Sequence, residues 1–191
     1  VGHSEGGGVG LLAASRSKHI ARLVLAGTPA TPGHELVLEQ QRYLLEKMKT
    51  DSVELEAKVA LQKRINSAVM FGTSWEGVGM AVRRQADTPW FRSFLRFDPA
   101  AVMPKVRQPL LVVQGALDRQ VAAHHADKLA ALARARKKAP PAEATTLPGV
   151  NHLFVPATTG DVDEYASLAG QGISPEWPTL IAGWLGQAPA K

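Results

Sequence analysis

A serine with glycines two residues away on either side opens this chain, in Gly2-His3-Ser4-Glu5-Gly6, the pattern G-x-S-x-G. Such a serine sits on a sharp strand-to-helix turn, in a strained backbone conformation whose flanking glycines avoid clashes. The turn lifts Oγ clear of the sheet and sets it at a helix N-terminus, where N–H groups and the helix dipole favour developing negative charge. A serine hydroxyl is a weak nucleophile until a base takes its proton and an acid orients that base. Asp118 and His152 have the required types and settings. Asp118 lies just past the apolar run 109–114, in Gln114-Gly115-Ala116-Leu117-Asp118. His152 lies just past the run 143–147, in Gly149-Val150-Asn151-His152. All three candidates stand at the carboxyl ends of expected strands, where parallel sheets assemble their sites. Taken alone, a Gly-rich loop before a helix could equally hold a phosphate; an acid and a base following in suitable places favour nucleophilic catalysis.

The elements that must position these residues read as strand, helix, strand, insert, strand, helix, strand, helix. That order predicts an α/β fold with a parallel sheet. A short buried helix is expected over 6–17 and a brief buried strand over 20–26, ended by Gly27-Thr28-Pro29. Helical spacing recurs over 34–49, 52–70 and, more weakly, 75–86, giving a helical insert bounded by Pro32 and Thr88-Pro89. A strand at 109–114, a helix at 123–138, a strand at 143–147 and a last helix at 175–186 complete the pattern. The expected organisation is therefore an elbow, helix and strand in 1–31, a helical cap or lid insert in 32–89, and the remaining core with acid and base in 90–191.

Composition narrows the alternatives. At 191 residues with 45% hydrophobic and 20% charged side chains, the chain is of one-domain size with enough apolar mass for a core. It holds no apolar run of about eighteen residues, so no membrane-spanning helix is expected. The net charge is +5, and its densest run is Arg134, Arg136, Lys137 and Lys138. Only 6% of residues are aromatic, so this run reads as the solvated end of a helix and not as a nucleic-acid surface. The lack of cysteine excludes disulfides, thiolate catalysis, zinc–thiolate sites and iron–sulfur clusters. His124 and His125 read as a surface helix start rather than a metal site. Asp161, Asp163 and Glu164 read as a solvated acidic loop, with support of the site as the rival reading. His3 reads as a pocket or packing residue. Trp90 and Phe91, with Trp75 and Phe94, either pack the insert or wall an acyl pocket.

The motifs together resemble the carboxyl-terminal part of an α/β-hydrolase, in the group of serine esterases and related serine peptidases with a helical cap. The carriers are Gly-His-Ser-Glu-Gly-Gly at 2–7, Gly-Ala-Leu-Asp-Arg-Gln-Val at 115–121 and Leu-Pro-Gly-Val-Asn-His-Leu-Phe at 147–154. Trp90-Phe91-Arg92-Ser93-Phe94-Leu95 with Asp98-Pro99 resembles a bacterial esterase branch. The resemblance implies Ser4 as nucleophile, Asp118 as orienting acid, His152 as base and the backbone N–H of Glu5 as one oxyanion donor. It implies hydrolysis of a small-molecule ester with no metal or organic cofactor. The expected helical insert with its aromatic residues favours a short acyl chain, and the composition points to no nucleic-acid partner. An amidase, a thioesterase and a catalytically silent module stay open as alternatives. Export is the compartment it favours over the cytoplasm, and oligomeric state is left open. The chain departs from the family before the elbow, where further strands and the loop bearing a second oxyanion N–H are expected.

The chain thus reads as a fragment whose elbow strand lacks neighbours on one side, which would expose unpaired backbone and apolar surface. Loss of one oxyanion donor typically costs about 10²–10³ in kcat. Residues 1–191 alone are predicted to be aggregation-prone and nearly inactive beside a chain extended upstream. Ester turnover and monodispersity equal in the two would contradict this.

Overall fold

The computed structural model describes residues 1–137, 139–140 and 142–187. In chain order its elements are β1 (Gly2–His3), α1 (Glu5–Arg16), β2 (Leu23–Ala26), α2 (Gly33–Lys47), α3 (Ser52–Phe71), α4 (Met80–Ala86), α5 (Pro89–Arg96), α6 (Pro99–Val102), β3 (Leu110–Gly115), α7 (His124–Arg134), β4 (Ala142–Leu147) and α8 (Glu176–Gly186). They form two compact units, Val1–Ala30 with Pro99–Lys191, and Thr31–Asp98. The second unit includes α5, which the sequence pattern left with the core.

In the first unit the four strands are all parallel, in the order β1-β2-β3-β4. β2 and β3 are buried along their whole lengths, as expected of strands covered on both faces. Side chains alternate across a strand. Val24, Ala26, Leu111 and Val113 therefore share one face, where they pack with Leu147, Val150, Phe154 and Trp184, and with Trp177, Leu180 and Ile181 of α8. Leu23, Leu25, Leu110, Val112 and Gln114 point to the other face. There Gly10 of α1 lies so close to Leu23 that a Cβ would stand 2.8 Å from its Cδ1. Val9 of α1, expected in a buried helix, is 61% exposed.

Two charged groups depart from their sequence reading. Arg136 is not solvated but buried. Its guanidinium donates to the carbonyls of Ala133 at 2.7 Å, Gln108 at 2.8 Å, Pro140 at 2.9 Å and Val106 at 3.2 Å. Burial, with Arg107 adding to it, pushes its pKa down from the usual arginine value. The planar fork of donors explains the choice of Arg, since one ammonium cannot reach four carbonyls. Lys138, the end of the expected 123–138 helix, lies outside the described residues; α7 itself ends at Arg134.

Glu164 is likewise not a merely solvated member of its acidic loop. Its carboxylate accepts the backbone N–H groups of Thr158 at 2.7 Å, Gly160 at 2.8 Å and Thr159 at 3.0 Å, and the Thr159 hydroxyl at 2.7 Å. Those bonds pull its pKa down to about 2. The loop so gathered lies on the turn after β3: a Cβ at Gly160 would fall 1.7 Å from the Leu117 carbonyl oxygen. Gln120 donates to the Tyr165 hydroxyl at 2.8 Å.

The unit Thr31–Asp98 is helical. Asp51 caps α3 by accepting from Val53 and Glu54, and Thr88 caps α5 by accepting from Phe91 ahead of Pro89. Ile65, Val69, Met70, Ala86 and Leu95 form its core, with Trp75, Phe91 and Phe94 packed against them. Among the described residues no helix is long and apolar enough to cross a membrane.

Two stability measurements check these assignments. Arg136→Ala should cost about 2–3 kcal/mol in urea unfolding, and Arg136→Lys should recover little of it, because carbonyls stay unpaired in both. Because the folded pKa of Glu164 lies below its unfolded value, its contribution is complete above pH 4.5 and is lost as pH falls towards about 2. Protease cleavage in 157–168 should rise over that window in the parent, whereas Glu164→Gln should be cleaved readily at both ends of it.

Candidate active site

Ser4 is the residue between β1 and α1, and its backbone shows why the motif has its shape. Its φ is 53° and ψ −124°, a region that non-glycine residues rarely enter. Such a conformation costs about 1–3 kcal/mol and persists only where its surroundings hold it. Here the Ser4 N–H donates to the Ala26 carbonyl at 2.8 Å, extending the β1–β2 pairing by one step. Serine is a preferred N-cap, yet the Ser4 side chain makes no capping bond to α1. Glu5 opens α1, where backbone N–H groups point out of the helix end.

The glycines around Ser4 have different physical reasons. A Cβ on Gly2 would stand 2.3 Å from the Gly6 carbonyl oxygen, so strand and helix could not turn so tightly. Gly6, the second glycine of the motif, was expected to relieve a clash, but a Cβ there would meet nothing among the described residues within 4 Å. The crowded position is Gly7, where a Cβ would lie 1.9 Å from Thr28 Oγ1.

Asp118 and His152 come together across the ends of β3 and β4. His152 Nδ1–H donates to Asp118 Oδ2 at 2.7 Å, and both residues are buried. Asp118 Oδ1 accepts the backbone N–H groups of Val121 at 2.8 Å and Gln120 at 2.9 Å. Oδ2 takes a second donor, Gln114 Nε2, at 2.8 Å. The pair sits over Gly27, whose φ is 52°. A Cβ there would stand 3.1 Å from His152 Nδ1 and 3.4 Å from Asp118 Oδ2. Gly27, just past β2, therefore needs both its left-handed backbone and its missing side chain.

The loop bearing His152 is held from below. Asn151 is fully buried and its Oδ1 accepts the N–H groups of Leu153 and Val155. Phe154, in the left-handed region at φ 58°, plugs into the core and stacks on Trp177 at 4.1 Å. His3 Nε2–H donates to the His152 carbonyl at 2.8 Å, with ring centroids 4.7 Å apart. His3 thus ties the serine turn to the loop that carries His152.

Trp90 and Phe91 belong to the helical unit, where they stack on one another and on Phe94; Trp90 is 60% exposed. His125 is not a surface residue as expected: it is fully buried, and its Nδ1 accepts the Ala30 N–H at 3.0 Å. The sequence reading missed Gln114, Gly27 and Gly7. Gln114 carried one signal, an amide inside an otherwise apolar strand. Gly27 read only as a strand breaker.

Comparison with known proteins identifies the family and the fold. Residues 1–168 match the model of the alpha/beta hydrolase family. No curated protein matches the chain. An alpha/beta hydrolase enzyme from a Medee basin deep-sea metagenome library is 16% identical over 100% of this chain and 65% of its own, with a TM-score of 0.51. An esterase from Pyrococcus furiosus is 13% identical over 96% of this chain and 51% of its own, at 0.50. A hydrolase from Pseudomonas aeruginosa PA01 is 22% identical over 97% of this chain and 63% of its own, at 0.49. The chain spans less than two thirds of the length of each of these structures. The family match over most of the sequence, on a parallel sheet with a serine turn at the end of β1 and a hydrogen-bonded Asp118–His152 pair beyond β3 and β4, leads to one assignment: the chain belongs to the alpha/beta hydrolase family.

Proposed function

We propose that the protein is a serine hydrolase that cleaves small-molecule carboxylic esters through an acyl-enzyme on Ser4. The observation that carries this reading is the commitment of His152 Nδ1–H to the buried Asp118 carboxylate. With Nδ1 holding the proton, Nε2 is the nitrogen that accepts one.

His152 Nε2 takes the Ser4 hydroxyl proton as Oγ bonds to the ester carbonyl carbon. The carbonyl electron pair moves onto oxygen, and the Glu5 N–H at the start of α1 stabilises that oxyanion. Collapse of the intermediate breaks the bond to the alkoxy oxygen, and His152 gives its proton to the departing alcohol. Water then attacks the acyl-serine, losing a proton to His152, and the second collapse returns that proton to Ser4 and frees the carboxylic acid. Asp118 holds the imidazole in one tautomer throughout and stabilises its charged form. A short acyl chain is the preferred substrate in this reading, a preference taken from the helical insert and its aromatic side chains.

A fluorophosphonate probe should add to the full-length protein at Ser4 and at no other serine, and Ser4→Ala should abolish the adduct. Peptide mapping that places the adduct elsewhere contradicts the assignment. Asp118→Asn should keep the fold and lower kcat by about 10⁴, through the wrong imidazole tautomer. Near-parental activity in His152→Ala would exclude His152 as base. Aryl esters of two to four carbons should be turned over faster than those of sixteen; the reverse order would remove the short-chain preference.

A further inference from the structure

Gln114 is the last side chain of β3 before Gly115, and it is fully buried in a strand otherwise built of Leu and Val. Its Nε2 donates to Asp118 Oδ2 at 2.8 Å and to the Val121 carbonyl at 2.8 Å. Both partners are acceptors only, so the amide orientation is fixed by chemistry: the NH2 group must face them. Its Oε1 is left buried with no partner among the described residues. An unpaired buried acceptor costs about 1–3 kcal/mol. A Leu or Met in this strand would avoid that cost. The position thus sacrifices local stability, and what it gains is two hydrogen bonds aimed at the turn 118–121.

From this we infer that Gln114 is a positioning residue, which sets the orientation of the Asp118 carboxylate and through it the imidazole of His152; the inference rests on the serine hydrolase reading. Oδ1 is fixed by two N–H groups of its own turn, which follow wherever the turn goes. Oδ2, the oxygen that meets His152, takes its other bond from β3 itself. Gln114 is therefore the only side chain besides His152 that bonds to this carboxylate among the described residues. With its second hydrogen on the Val121 carbonyl, one amide spans the turn and prevents the carboxylate plane from rotating about χ2. The group touches no reacting atom; it acts by keeping Oδ2 on the line of the Nδ1–H bond.

The test compares the full-length parent with Gln114→Met, which keeps the side-chain volume and removes both donors. Two readouts are used: the saturable fluorophosphonate reaction at Ser4, and the downfield proton resonance of the His152 Nδ1–H bond. In Gln114→Met the maximal labelling rate should fall by about tenfold or more, the scale of one charge-assisted hydrogen bond, with half-saturation unchanged. The resonance should shift or broaden as the carboxylate gains freedom, while thermal unfolding stays close to the parent, because the donor lost from Asp118 is offset by removal of the unpaired Oε1. If the Met variant does not fold, Gln114→Asn, whose amide is one methylene short of Oδ2, serves as the second probe with the same expectations. Labelling rate and resonance both at parental values would overturn the inference, as would a loss that follows thermal instability alone. A parent that is not labelled at Ser4 would instead sink the hydrolase reading, and the positioning role would then stand or fall on the resonance.

Discussion

A carboxylate withdrawn from water must find a donor for its lone pairs, and Asp118, 2% exposed, finds four. Two come from the turn that carries it, one from β3 and one from the loop beyond β4. The sheet around it supplies that convergence. β3 and β4 pair in parallel register from Leu110↔Ala142 to Gly115↔Leu147, so both strands end at the same level. Ala116 N–H then donates to the Leu147 carbonyl and Leu117 N–H to that of Val150, zipping the two post-strand turns together. A slip of one residue would turn every side chain to the wrong face and strip the carboxylate of its partners. Removing a single donor from a buried charge costs several times a surface ion pair.

Close backbone approach is the second constraint, and it follows from the first. A Cβ at Gly115 would come within 2.6 Å of the carbonyl oxygens of Val150 and Asn151, so the His152 loop seats against β3 only because that residue is bare. Gly27 clears the space beneath the hydrogen-bonded pair in the same way, and Gly160 lets a loop gathered by Glu164 press on Leu117. Ser4 and Phe154, both non-glycine residues in the left-handed half of backbone space, hold strain beside these glycines. Strain at such positions is tolerated where surrounding bonds over-determine the conformation. The Ala26 carbonyl bonded to Ser4 and the core packing of Phe154 do so here.

What the sequence disclosed and what it hid divide along contact range. The serine turn, the apolar strands and the helices are written in neighbouring residues: Gly2 and Ser4 are two apart, and the apolar run of β3 ends in its own Gly turn. Asp118 and His152 stood out in the sequence because each follows a strand whose type was clear. Arg136 was not, since its charge run looks solvated until Val106 and Gln108, some thirty residues earlier, present their carbonyls. Glu164 looked like one more acid in an exposed loop because backbone N–H groups leave no mark in the sequence. His125 paired with His124 resembled a surface helix start, yet its partner is the backbone of Ala30. Gly6 and Gly7 show the converse, where the motif named one glycine and the packing needs its neighbour.

The central claim is that Ser4, with His152 and Asp118 behind it, takes an acyl group from an ester. The most direct measurement is mass spectrometry of the full-length protein quenched in acid during turnover of a slowly deacylating aryl ester. The account predicts a peptide carrying Ser4 heavier by one acyl group, an adduct that hydroxylamine removes and that Ser4→Ala does not form. Turnover with no acyl adduct at Ser4, or with the adduct on another residue, would contradict it.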